Sequence, residues 1–248
     1  MDRHQAISDF LAKRHYAAIN PVAALIDMDG TLYDSMGHHA DAWMKMVSGL
    51  GINMPRDEFF RYEGRTGAST INIIFNKAYG RDATQEEIER LYHLKTEYFN
   101  SMPAVAPMPG AAQLLDMMQE IGMRRVLVTG SGQASLIERL ERDFPGAFSP
   151  QMMVTSRNVT HGKPHPEPYI RAMQMARVKP SQSIAIENAP LGVKSASAAG
   201  AFTIGLTTGP IPGRELKEAG ADIVYPSMQA LADDFHNLVY DMFNSSLG

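Results

Sequence analysis

Apolar residues recur along this 248-residue chain in two rhythms. Short apolar runs that stop at turns lie at 22–26, 124–129, 152–155, 183–187, 202–206 and 222–225, which is how strands buried on both faces read. Elsewhere the apolar positions fall three and four apart, as on the buried face of a helix. Ile7, Phe10, Leu11 and His15 mark such a helix over 3–17, and others cover 110–121, 133–142, 166–177, 190–199, 213–218 and 227–243. One long interval breaks the alternation. Residues 36–50 carry Ala40, Trp43, Met44 and Val47 on one stripe, 68–79 carry Ile71, Ile74, Phe75 and Ala78, and 85–101 carry Ile88, Leu91, Tyr92 and Tyr98.

This order predicts an α/β chain, a Rossmann-like parallel sheet with helices on both faces, joined by right-handed crossovers. The three consecutive helices predict an inserted all-helical cap. The core is expected over 1–34 and 107–248 and the cap over 35–106. The proline-rich "AVAPMPG" at 104–110 reads as the return linker, because proline stops helices and stiffens short connections. Hinges are expected near Asp34 to Ser35 and Ala104 to Pro107.

Composition narrows the partners. A formal charge of -4 offers no basic stripe for a phosphate backbone, which argues against nucleic acid. There is no cysteine, so thiolate metal sites and disulfides are excluded. No stretch reaches the roughly 18 apolar residues of a membrane span and no signal-peptide pattern opens the chain. A cytoplasmic protein, monomeric or a weak homodimer and independent of membranes, is the expectation.

The candidate chemistry lies at the carboxyl ends of the strands, where ligands bind in such sheets. The first strand runs into Asp27 and Asp29 in "VAALIDMDGTLYDS" (22–35), and Gly30 then lets the chain turn. Thr129, Gly130 and Ser131 follow the second strand, Lys163 the third, and Glu187 with Asn188 the fourth. Three carboxylates so close repel one another, and a hard cation relieves that repulsion. An oxygen-only set with an open side suits Mg²⁺. Asp27, kept ionised, could attack phosphorus; Asp29 fits general acid and base, provided its pKa is raised enough to hold a proton. Lys163 and Thr129 would bind the phosphoryl oxygens, with the amides of a helix opening at 130–135. The set describes phosphoryl transfer through an aspartyl-phosphate. Singly, each residue has an ordinary structural use: Asp27 and Glu187 as caps, Lys163 at the surface. "GSGQAS" is G-x-G-x-x-S after an internal strand, a poor dinucleotide loop.

With "DMDGT", "VTGSG", "GKPHPEP" and "IENAPLGV" in this order over about residues 20–230, the chain resembles the haloacid dehalogenase-like superfamily, in its β-phosphoglucomutase-like branch with a helical cap. The resemblance implies Asp27 as nucleophile, Asp29 as acid and base, and Thr129 and Lys163 as phosphate binders. It implies Mg²⁺ on Asp27, the Asp29 backbone oxygen and the pair Glu187-Asn188. That pair is usually two acids, and asparagine is neutral yet still an oxygen ligand. His39 and Trp43 match the H-x-x-x-W that faces the site in the sugar-phosphate mutases, although a core role serves either residue as well. In the cap loop "YEGRTGAST" (62–70), Glu63 and Gly67 stand where mutases place a lysine and an arginine for the substrate's second phosphate, and Arg65 is displaced. "GSGQ" also lacks the lysine some mutases carry there. A Mg²⁺-dependent phosphohydrolase acting on pyrophosphate or a sugar phosphate is therefore expected, with β-phosphoglucomutase as the second reading. A phosphate-binding module without catalysis is the distant third.

Overall fold

The computed structural model describes residues 2–131 and 135–245. Six parallel strands form one sheet: β1 (Ala23–Ile26), β2 (Arg124–Val128), β3 (Met153–Val154), β4 (Ser183–Glu187), β5 (Phe202–Leu206) and β6 (Ile223–Tyr225), in the order β3-β2-β1-β4-β5-β6. β1 therefore lies between β2 and β4, where the winding of the sheet reverses and a crevice opens beyond the strand ends. Ile26 is in register with Leu127 on one side and Ile186 on the other, so Asp27, Thr129 and Glu187 emerge close together.

The period-two alternation of the strands divides the core. Ala24, Ile26, Leu127 and Ile186 pack with α1 (Arg3–Arg14), α6 (Ala111–Glu120) and α11 (Met228–Phe243). Ala23, Leu25, Val126 and Ala185 face the other way, onto α8 (Glu167–Ala176) and α9 (Pro190–Ala199). The first helix stops three residues early because His15 takes a left-handed conformation, its N–H bonding back to Ala12. Among the described residues no helix is long and apolar enough to cross a membrane.

Between β1 and α6 the chain is helical throughout: α2 (Met36–Gly49), α3 (Arg56–Arg61), α4 (Gly67–Tyr79) and α5 (Gln85–Asn100). The short α3 is absent from the sequence reading, since six residues are too few for a periodic signal. It is held by burial of Phe59 and Phe60. Thr66 caps α4, and Thr84 with Glu87 forms a capping box on α5. The two linkers run side by side: Asp34 N–H donates to Ala106 O (3.0 Å) and Met108 N–H to Leu32 O (2.8 Å). The helix expected over 133–142 is α7 (Ser135–Asp143) in its described part; Gly132 and Gln133 of "GSGQ" lie outside the described residues.

Candidate active site

Asp27 is buried at the end of β1 and accepts two hydrogen bonds, from Lys163 Nζ on Oδ1 (2.6 Å) and from Thr31 on Oδ2 (3.1 Å). Lys163 Nζ also reaches Glu187 Oε1 at 2.6 Å. Burial alone would lower the lysine's pKa, but the two carboxylates outweigh it and hold Lys163 protonated. Its loop is braced by Glu167, whose oxygens accept the N–H groups of Thr160 and His161, the His161 ring and Arg171. His161, His165 and Glu167 thus meet on the surface, but the carboxylate is already engaged by protein donors.

Glu187 is wholly buried, with Oε1 also taking Tyr169 OH (2.6 Å) and Oε2 the Asn188 N–H (3.2 Å). It lies against Gly192, where a Cβ would come within 2.0 Å of Oε1. Burial and the charge of Glu187 push Asp27 up to about 7 in spite of Lys163. An ionised Asp27 here needs more positive charge than one lysine supplies. Asp27 Oδ2 and Asn188 Oδ1 both contact Thr31 Oγ1 (3.1 and 3.4 Å), so oxygens gather on one side, and this donor set fits a hard divalent cation.

Asp29 sits under the cap. Its Oδ1 accepts from Ser35 (2.7 Å) and meets His39 Nε2 at 2.9 Å, while Lys95 Nζ lies 2.6 Å from His39 Nδ1. A protonated lysine can only donate, so His39 Nδ1 accepts, and its proton sits on Nε2 facing Asp29. Burial would raise Asp29, but the His39 ring, Ser35 and Lys95 outweigh it and bring it to about 2. The condition that sequence placed on Asp29, a raised pKa, is not met in this arrangement, where the surrounding donors favour its ionised form. Phe99 stacks on His39 with ring centroids 4.3 Å apart, and burial together with Lys95 keeps the imidazole's pKa low despite Asp29.

The cap loop closes directly on the core. A Cβ on Gly130 would lie 2.8 Å from Arg65 O and 2.9 Å from Gly64 O, and one on Gly64 would lie 3.1 Å from Lys163 Cδ. Arg61 pairs with Glu215 at 2.9 Å across the same seam. The cavity between cap and core measures about 50 Å³, with Asp27, Asp29, Thr129, Gly130, Ser131, Glu187 and Asn188 as floor and His39, Trp43, Glu63 and Arg65 as roof. Every candidate residue except Lys163 lines it directly, and Lys163 touches it through Asp27. Thr129 Oγ1 accepts the Ser131 N–H at 3.0 Å. Trp43 is mostly buried and stacks on Phe59, and Arg65 donates to Ser69 (3.2 Å).

Lys95 and Tyr92 also line the cavity, and sequence reasoning gave them no site role. The signal for Lys95 was present: it lies four residues after Leu91 and four before Phe99, a lone cation on the buried stripe of α5. Burial pushes it down to about 8 against the pull of Glu63 and Asp29. Burial and Asp29 push Glu63 up to about 8, opposed by Lys95. Tyr92 occupies the room beside Gly67, where a Cβ would come within 2.1 Å of its ring.

The profile of the haloacid dehalogenase-like hydrolases matches residues 24–206. The chain belongs to that family. A haloacid dehalogenase-like enzyme of this type is a phosphatase or phosphomutase. Its relatives include validoxylamine A 7'-phosphate phosphatase of Streptomyces hygroscopicus subsp. limoneus, 29% identical over 75% of this chain and 85% of that protein. Hexitol phosphatase A of Escherichia coli K12 is 27% identical over 84% and 91%. A solved structure from Bacteroides vulgatus, assigned provisionally as a β-phosphoglucomutase, superposes with a TM-score of 0.93 at 42% identity over 97% and 98%.

Proposed function

We propose that this haloacid dehalogenase-like chain is a Mg²⁺-dependent phosphohydrolase working through phospho-Asp27, with pyrophosphate or a phosphate compound of similar size as substrate. The observation that carries the reading is the roof of the site: Glu63, Lys95 and Tyr92 close a cavity of about 50 Å³. At about 10–15 Å³ for each water-sized group, that suits a small anion and crowds out a hexose with two phosphates. Glu63, held up to about 8 by burial and Asp29, offers a free second phosphate no positive charge, whereas a phosphate that carries a metal would favour its ionised form. A mutase arginine at position 67 has no room beside Tyr92.

Asp27, the Asp29 carbonyl and Asn188 would hold the cation, with Glu187 balancing charge from behind through Lys163. The ion would keep Asp27 ionised and draw charge from the phosphoryl oxygens. The Asp27 carboxylate forms a bond to phosphorus as the bond to the leaving group breaks, while Lys163, Thr129 and the Gly130–Ser131 backbone hold the equatorial oxygens. In the second step Asp29 takes a proton from water, whose oxygen bonds to phosphorus and releases Asp27. An ionised Asp29 favours a leaving group that needs little protonation in the first step. Inorganic phosphate is such a group and a sugar alkoxide is not.

Phosphate release over pyrophosphate, hexose 1- and 6-phosphates and phosphoglycolate tests the reading. Pyrophosphate should lead by about tenfold or more in kcat/KM, and Asp27→Asn should lower turnover of every substrate by at least about a thousandfold. Turnover retained in that variant refutes the nucleophile. Conversion of β-glucose 1-phosphate to glucose 6-phosphate outpacing phosphate release would establish the mutase instead.

A further inference from the structure

The departure at Asn188 raises a question that an acid would not. A carboxylate offers a cation two equivalent oxygens. An amide offers one oxygen and one N–H₂ group that repels it. Affinity at such a site therefore depends on whatever fixes which end of the amide faces the ion.

Here Asn188 Nδ2 is turned to Met36 Sδ, and Oδ1 lies toward Thr31 and Asp27. A thioether carries lone pairs and no proton, so it can receive only the nitrogen end. Met36 and Asn188 are almost fully buried, at 3% and 2% exposure, so the sulfur is the partner that the amide nitrogen faces. The contact has a built cradle. A Cβ at Gly30 would lie 2.0 Å from Asn188 Nδ2 and 2.7 Å from Met36 Sδ, and one at Gly209 would lie 2.6 Å from the same sulfur. Two glycines from different loops leave the space that this pair fills. Met36 is also the first residue of α2, next to Ser35, which donates to Asp29. The root of the cap thereby touches both the catalytic base and the asparagine.

We infer that Met36 is a positioning residue: its sulfur holds the Asn188 amide with the oxygen turned to the cation site, so that methionine at 36 and asparagine at 188 act as a pair. The identity of the ion rests on the magnesium reading above.

Mg²⁺ binding measured by calorimetry on wild type, Met36→Leu, Asn188→Asp and the double variant tests this. Leucine fills a similar volume without an acceptor. Losing a hydrogen bond of this size should raise the Mg²⁺ dissociation constant about tenfold in the asparagine background. With aspartate at 188 the same change should cost less than about twofold, because a carboxylate needs no orienting. An equal loss in both backgrounds overturns the pairing and reduces Met36 to a packing residue. Absence of Mg²⁺ binding to all four proteins overturns the magnesium reading and the inference with it. A measurement without any variant stands beside these: uniform selenomethionine labelling should shift the NMR signals of the Asn188 Nδ2 protons in the metal-free protein. Unchanged signals there would also overturn it.

Discussion

Lys95 enters the site from the middle of α5 with its ammonium group between His39, Trp43 and Phe99. It compensates two carboxylates, Asp29 and Glu63, and it sets the His39 tautomer that presents an N–H to Asp29. Replacing it with methionine keeps much of the buried stem and removes the charge. Lys95→Met should lower kcat/KM for pyrophosphate by about a hundredfold, measured by steady-state phosphate release. Activity within a fewfold of wild type would show that His39 and Glu63 hold their places without it. His39 itself was a candidate through the likeness of His39 and Trp43 to the H-x-x-x-W of the sugar-phosphate mutases; its position against Asp29 needed the cap and the sheet to be brought together.

Short elements decide how the cap meets the core. Thr66 starts α4, and the loop before it lays the Gly64 and Arg65 carbonyls over Gly130. Gly64 has a φ of +84°, which an L side chain rarely adopts, so the loop can turn there and still touch Lys163. At Gly130 the constraint is space: a Cβ would meet backbone oxygens that cannot swing aside. Gly130→Ala should therefore hold the cap loop off the floor and cost about a hundredfold in kcat/KM, the usual effect of an ångström-scale misplacement. Its thermal midpoint should stay near that of wild type, since the contact lies at the seam and outside the sheet core. Kinetics and a melting curve on the same variant separate the two effects.

For the whole molecule, the buried carboxylates make stability depend on pH. Asp27, raised to about 7, and Glu63, raised to about 8, bind protons in the folded state that they have lost when unfolded. With more protons on the native side, stability falls as pH rises through that window. His39, whose pKa is lowered from 6.5, opposes this below about pH 6.5, and Lys95, lowered to about 8, does so above about 8. Asp29 completes its change in the acid range. The melting temperature of the metal-free protein should therefore drop between pH 6.5 and 8 at constant ionic strength, and Mg²⁺ should flatten the slope. A flat or rising profile without metal would count against two protonated carboxylates in the site.

Much of the fold was legible because its signals are local. Alternation within β1 divides Ala23 and Leu25 from Ala24 and Ile26, and the carboxyl-end residues Asp27, Thr129, Lys163, Glu187 and Asn188 follow strands that the apolar runs already mark. The helix α3 escaped notice because one turn and a half leaves no period to read. What sequence could not supply was distance between segments. Lys95 reaches His39 across 56 residues and Asn188 meets Met36 across 152; no propensity or spacing records such a pairing. By itself the sequence determined the sheet, the helical insert and which polar residues stand at the strand ends, because each depends on neighbours along the chain. Only the tertiary structure decided how the cap closes, what charge Asp29 carries and how little room remains above Asp27, because those follow from burial and from groups that folding alone brings within a few ångströms.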